Sequence, residues 1–163
     1  MSTVQIEIKG GIGTIRLAGP RGNALSEELV SDLSSALRTV GGEPSARAVL
    51  LASAHPKLFC PGLDLVSLSA IDRAGMGAYM VNFSSLLTDL FALKKPVVAA
   101  VNGAAVAGGC LLALTADWRI TKRGAAMGLN EVQVGVPLPW SAVVLLRAAA
   151  RASALSAVAR LGR

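Results

Sequence analysis

The sequence predicts an α/β domain with a largely parallel sheet, and three observations carry that prediction. The runs Ala48-Val49-Leu50-Leu51 and Pro96-Val97-Val98-Ala99-Ala100-Val101 are continuously apolar, as strands covered on both faces are. An amphipathic helical pattern precedes each run, at 27–40 and at 75–93, which is the order of a crossover to a parallel strand. The second run then breaks at Asn102-Gly103 into a small-residue loop and a buried helix over Cys110–Leu114.

The chain opens with Val4-Gln5-Ile6-Glu7-Ile8, whose alternation reads as a half-buried strand. Gly10–Gly13 reads as a turn and Thr14–Leu17 as the return strand, so 3–18 is a hairpin. These glycines do not complete a dinucleotide fingerprint, because Arg16 stands where the third glycine belongs. Residues 18–23 form a loop. Ser26 is a suitable N-cap, Glu27 and Glu28 favour the first turn, and Leu29, Leu33, Leu37 and Val40 share one face. Gly41-Gly42 ends that helix, and the parallel strand falls within Ala46–Ala52. Ser53–Leu65 reads as a loop leaving the C-terminal end of a buried strand, where open α/β sheets place ligands. In the 75–93 helix, Tyr79, Phe83, Leu86, Leu87 and Leu90 fall on the buried side. Ala116–Ile120 reads as a strand, Glu131–Gly135 as a short helix or turn, and 140–160 as an alanine-rich helix. Residues 1–139 are expected to form the core domain, with 140–163 a C-terminal helical segment.

A chain of 163 residues fits one domain. No uncharged apolar stretch is long enough to span a membrane, which excludes membrane insertion. The N-terminus lacks the basic and apolar regions of a secretory signal, so a cytoplasmic protein with two free thiols is expected. The net charge of +6 is spread singly, without interleaved aromatics, until the arginines of the tail. A solvated helix face explains it better than a nucleic-acid surface, and a basic surface also attracts a phosphorylated ligand.

Several chemistries are excluded by residue type. One histidine, His55, and no Gly-x-Ser-x-Gly argue against a Ser-His-Asp triad. Walker and His-Glu-x-x-His motifs are absent, and Cys60 and Cys110 lack metal spacing, so no metal site is expected. Ala107-Gly108-Gly109-Cys110 can aim free N–H groups at an anion or can serve close packing. Most carboxylates sit where solvent explains them; Asp64, Asp117 and Glu131 do not. Asp64 reads first as a helix cap, and Asp117 as a local backbone acceptor. Glu131 lies in an apolar context, where burial would raise its pKa and fit it as a base; a carboxylate at a helix N-terminus is the other reading.

Phe59–Leu65, Lys95–Gly103, Ala107–Cys110 and Asp117–Ile120, taken in order, resemble the crotonase (enoyl-CoA hydratase/isomerase) superfamily. The segments at 107–111, 114–117 and 128–135 most resemble its mitochondrial-type Δ3,Δ2-enoyl-CoA isomerases. The resemblance implies a crotonase-like ββα spiral core with the usual C-terminal helices largely absent. It implies an oxyanion hole from the N–H groups of Leu63 and Gly108, and Glu131 as catalytic acid/base. Gly62, Leu63, Asp64 and Leu65, and more loosely the stretch Arg21–Ala24, would line the coenzyme A part of the substrate; Asn130 falls at a substrate contact, and Leu111 would keep the face under Glu131 dry. Hydratases of the superfamily carry a second glutamate where this chain has Leu111, which favours proton transfer over hydration. The implied activity is a shift of a 3-enoyl-CoA double bond to 2-trans in fatty-acid metabolism. The alternatives are hydratase-like or other thioester chemistry, or acyl-CoA binding and assembly without turnover. No cofactor is expected beyond the coenzyme A of the acyl-CoA substrate, and a homotrimer or dimer of trimers is the expected assembly.

Overall fold

The computed structural model describes residues 2–135 and 137–149. The N-terminal hairpin forms from β1 (Val4–Lys9) and β2 (Ile12–Leu17), with β2 starting two residues earlier than the alternation indicated; β1 is not half-buried as expected, because only Val4 is buried and Ile6 and Ile8 stand exposed at the sheet edge. A turn at Pro20–Asn23 follows. Helix α1 (Glu27–Gly42) starts where Ser26 accepts from the Leu29 N–H, and it buries Leu29, Leu33, Leu37 and Val40. Its C-terminal end is held by Lys95, whose Nζ donates to the carbonyls of Val40 and Glu43 at 2.8 and 2.7 Å.

Strand β3 (Ala48–Ser53) runs parallel to β2, and β5 (Val97–Val101) and β7 (Trp118–Thr121) extend the sheet in the order β1-β2-β3-β5-β7. Helix α3 (Arg73–Phe91) makes the crossover from β3 to β5, after a single turn α2 (Leu65–Leu68), and buries the five residues its periodicity assigned. One face of the sheet is closed: Ile15, Leu17, Val49, Leu51, Val97, Ala99 and Val101 join α1 and α3 in one core. The other is not, which corrects the expectation that the β3 run is covered on both sides. Leu50, Val98 and Ala100 are half-buried, and Trp118, in register with Val98, is 74% exposed.

The larger departure is a second sheet. Segments that read as loop are β4 (Leu58–Cys60), β6 (Ala104–Val106) and β8 (Met127–Gly128), which pair in parallel in the order β4-β6-β8. Helix α4 (Gly108–Leu114) begins two residues before Cys110. Asp117 accepts from the Val97 N–H at 2.7 Å, so its backbone partner is distant in sequence rather than local. A 3-10 turn spans Glu131–Val134, and α5 (Trp140–Ala149) buries Ala142, Leu145 and Leu146 in the same core. The expected continuation of this helix to 160, and the arginine-rich tail, lie outside the described residues.

Candidate active site

The small sheet gathers the residues that the sequence singled out. Cys60 on β4 pairs with Ala105 on β6, and Val106 on β6 pairs with Gly128 on β8. All three strands run the same way, so their C-terminal ends deliver Gly62-Leu63, Ala107-Gly108 and Asn130-Glu131 to one edge of the molecule. Ligands of α/β sheets sit at such ends. The Ala107 N–H donates to the Gly128 carbonyl at 2.9 Å, which fixes the second segment against the third.

Gly62 and Gly108 approach closely. A Cβ on Gly62 would stand 2.8 Å from the Ala107 Cβ and 3.3 Å from the Gly108 nitrogen, and Gly62 has φ +100°. Only glycine takes that conformation in that space at little cost. A Cβ on Gly109 would run into the Cys60 carbonyl, so part of the glycine pair does serve close packing. Leu63 forms a parallel bridge with Leu25 in which the Leu25 N–H donates to Gly62 O at 2.8 Å and the Asp64 N–H to Leu25 O at 3.1 Å. This pattern turns the Leu63 N–H away from Leu25. Among the described residues, neither the Leu63 N–H nor the Gly108 N–H has a hydrogen-bond partner. Ala107, between β6 and α4, has φ 50° and ψ −125°, a conformation that costs a non-glycine residue about 1–3 kcal/mol. Such strain concentrates at functional sites.

Glu131 is 9% exposed, and its Oε2 is buried without a hydrogen-bond partner. Burial pushes its carboxyl above the ordinary carboxylate range. The neighbouring element is the first turn of α4. Burial raises the Cys110 thiol to about 12, and the Glu131 charge adds to the rise, which puts the two side chains in electrostatic reach of each other. Leu111, next to Cys110, is fully buried, and Asn130 is half-buried. The expected burial and raised pKa of Glu131 are met, and the residue also opens a helical turn.

Asp64 does cap a helix, accepting from the Ser67 N–H at 3.3 Å, but capping is the smaller part of its role. Its carboxylate, 3% exposed, takes both Nε and Nη2 of Arg21, the one ion pair among the described residues. Hydrogen bonding from Arg21 holds the Asp64 carboxyl below the ordinary range. Ala24 is buried, and Leu65 is exposed at the start of α2.

Asn23, read from sequence only as part of a stretch loosely lining coenzyme A, is a structural hub. It is fully buried, its Oδ1 accepts from the Gly19 N–H, and its Nδ2 donates to Ser53 Oγ and Phe59 O at 2.8 and 3.0 Å. The available signal was an Asn in a Pro-Arg-Gly-Asn turn, a residue that tolerates the left-handed region, where it sits at φ 71°. His55 and Cys60 acquire local structural partners. His55 Nδ1 accepts from the N–H groups of Lys57 and Leu58, and the Cys60 thiol donates to Asn23 O. Among the described residues, no three His, Cys, Asp or Glu side chains cluster as a metal site, and no helix is long and apolar enough to cross a membrane. The polar groove between α1 and α3, lined by Glu27, Arg38, Tyr79 and Asp89 among others, contains no buried unpartnered side-chain atom and lies away from Glu131.

Comparison with known proteins shows the family and the fold. The enoyl-CoA hydratase/isomerase family profile matches residues 7–162. Mitochondrial enoyl-CoA delta isomerase 1 of Mus musculus is 34% identical over 139 residues, covering 84% of this chain and 48% of that protein. Mitochondrial methylglutaconyl-CoA hydratase of Mus musculus is 32% identical over 114 residues, covering 70% of this chain and 36% of the relative. The chain therefore spans about half or less of these relatives' lengths. The crystal structure of human mitochondrial Δ3-Δ2-enoyl-CoA isomerase superposes with a TM-score of 0.91 at 32% identity, covering 99% of this chain and 64% of that one. An enoyl-CoA hydratase/carnitine racemase from Magnetospirillum magneticum superposes at 0.93 and 28% identity, over 100% and 62%. A matched profile over nearly the whole sequence and this shared architecture place the chain in the enoyl-CoA hydratase/isomerase (crotonase) family.

Proposed function

We propose that the chain carries the active core of an enoyl-CoA Δ-isomerase that moves a 3-enoyl-CoA double bond to the 2-trans position. The observation that carries this reading is a single buried carboxylate with an unpartnered oxygen beside two unpartnered backbone donors. Ionised Glu131 takes a proton from C2 of the substrate. The electron pair moves onto the thioester oxygen, giving a dienolate held by the Leu63 and Gly108 N–H groups. Preorganised donors of this kind are worth about 3–4 kcal/mol each to the transition state. Protonated Glu131 then returns the proton at C4, which regenerates the carboxylate and leaves the 2,3 double bond. One base serves both carbons when it faces the C2–C4 edge. Its raised pKa suits both halves of the cycle, because a base that must release its proton again works best near the operating pH. Buried, apolar Leu111 supports isomerisation over hydration, since water addition to a double bond is served by a second acid/base group. Asn130 contacts the substrate, and buried Leu111 backs the Glu131 face and keeps it dry; Ala24, Gly62 and Leu65 line the coenzyme A side; Asp64 acts there through the loop it anchors.

The test is conversion of 3-hexenoyl-CoA to 2-trans-hexenoyl-CoA by the purified chain, run beside crotonyl-CoA hydration. Glu131→Gln is expected to lower the isomerisation rate by about 10²–10⁴-fold while acyl-CoA still binds. Equal activity in the variant removes Glu131 from the chemistry. Hydration without isomerisation moves the chain to the hydratase side, a reading that the hydratase relatives also support. Binding without either reaction makes it an acyl-CoA-binding protein.

A further inference from the structure

The ion pair between Arg21 and Asp64 has no part in the chemistry above, and its placement calls for a cause. Asp64 follows Leu63 directly and is buried. A buried carboxylate is costly unless its oxygens are paired. Here both are occupied from two sides: Arg21 Nε bonds Oδ1 at 3.1 Å, Nη2 bonds Oδ2, and the Ser67 N–H reaches Oδ1. A planar guanidinium gripping both oxygens fixes orientation as well as position.

The partner comes from an unusual segment. Arg21, Gly22 and Asn23 all have positive φ, at 49°, 70° and 71°. A non-glycine residue in that region costs about 1–2 kcal/mol, and it persists only where its surroundings over-determine it. The surroundings here are the strand and loop that lead into the site. A Cβ on Gly22 would run into Leu58, Asn23 bonds Phe59 O, and the Cys60 thiol bonds Asn23 O. The same turn therefore holds the start of the segment through β4 and its end through Asp64. Gly62 and Leu63 lie between these two attachments. Leu25, immediately after the turn, supplies the bridge that sets the direction of the Leu63 N–H, and Tyr79 Oη secures Leu25 O at 2.8 Å.

We infer that Arg21, acting through Asp64, is a positioning residue that aims the Leu63 N–H at the thioester oxygen. This rests on the reading of Leu63 and Gly108 as the donors to that oxygen. The guanidinium does not touch the reacting atoms. It keeps Asp64, and through the Leu25 bridge on either side of Leu63 the Gly62–Leu63 peptide that carries the N–H, from relaxing once a substrate draws on it. A misplacement of about 1 Å in such a group costs on the order of 100-fold in rate.

The experiment uses the full chain and butyryl-CoA labelled with 13C at the thioester carbonyl, a saturated ligand that binds without reacting. Infrared difference spectra of the bound ligand read the hydrogen bonding at the carbonyl oxygen directly. The unaltered chain is expected to lower the carbonyl stretch relative to free ligand. Arg21→Gln and Asp64→Asn are each expected to give back part of that shift, and Arg21→Lys to retain more of it than Arg21→Gln. Asparagine keeps a capping oxygen for α2, so Asp64→Asn separates the clamp from the cap. In the isomerase assay, Arg21→Gln is expected to lower kcat tenfold or more with KM changed less than threefold. A full shift in both variants overturns the clamp and leaves the donors standing. No shift in the unaltered chain overturns the donors themselves. A raised KM with kcat intact overturns the clamp in favour of direct contact between Arg21 and coenzyme A.

Discussion

Glu131 binds a proton more readily in the folded chain than in the unfolded one, because folding buries its carboxyl. Its contribution to stability is therefore complete below the unfolded value of about 4.3 and is lost as pH rises through the higher folded value. At neutral pH the ionised side chain works against the fold. Glu131→Gln is thus expected to raise the urea midpoint at pH 7 relative to the unaltered chain, with the difference disappearing near pH 4. In the proposed mechanism the same protonation sets the rate: isomerisation is expected to fall as pH drops, along an acid limb above the ordinary carboxylate range, since only an ionised Glu131 could accept the C2 proton. Ala107 carries a second local cost. Replacing it with glycine removes the penalty of φ 50° and is expected to stabilise the fold by about 1 kcal/mol in chemical denaturation. Whether activity survives that change reports how much of the Gly108 N–H orientation depends on a stiff residue before it.

The turn at Pro20–Asn23 and the short strand β4 stand or fall together as elements. Asn23→Ala loses three side-chain hydrogen bonds and also places a Cβ residue with no local polar compensation at φ 71°. Asn23→Gly loses the bonds alone. Thermal unfolding is expected to rank them accordingly, with alanine worse than glycine by about 1 kcal/mol. Tyr79→Phe, which removes only the bond to Leu25 O, is expected to cost about 1 kcal/mol. The elements readable in the sequence were those long enough to repeat a pattern. The hairpin alternates, α1 and α3 each complete several turns, and β3 and β5 are uninterrupted apolar runs. The small sheet was hidden because its strands are two or three residues long. Met127-Gly128 and Ala104–Val106 have no period to detect, and alanine and glycine are not strand formers by preference. Their pairing comes from the packing of the rest of the molecule. The site residues Leu63, Gly108 and Glu131 were legible through resemblance to a family pattern and, for Glu131, through one acid in an apolar context. Arg21 and Asn23 were marked only as part of a loose lining stretch; their bonding roles were not legible, because the partners lie 43 and 36 residues away.

For the molecule as a whole, the net charge of +6 would give the proposed acyl-CoA recognition a long-range component. Coenzyme A carries several phosphate charges, so KM for an acyl-CoA is expected to rise between low salt and about 0.5 M salt, while kcat stays within twofold. The large sheet adds a second global property. One face is closed by helices, while Trp118 and Ile120 are exposed on the other. The two sheets also differ in when their sequences become available. All five strands of the large sheet are present once Thr121 has been made, whereas β8 begins at Met127 and the carboxylate arrives four residues later. A chain emerging from the ribosome has all the strands of its main sheet before Met127-Gly128 is available to pair with β6 and fix Ala107. Of the three groups in the proposed mechanism, the base is the last to be synthesised, and the strand that ties the second donor segment down is made only just before it.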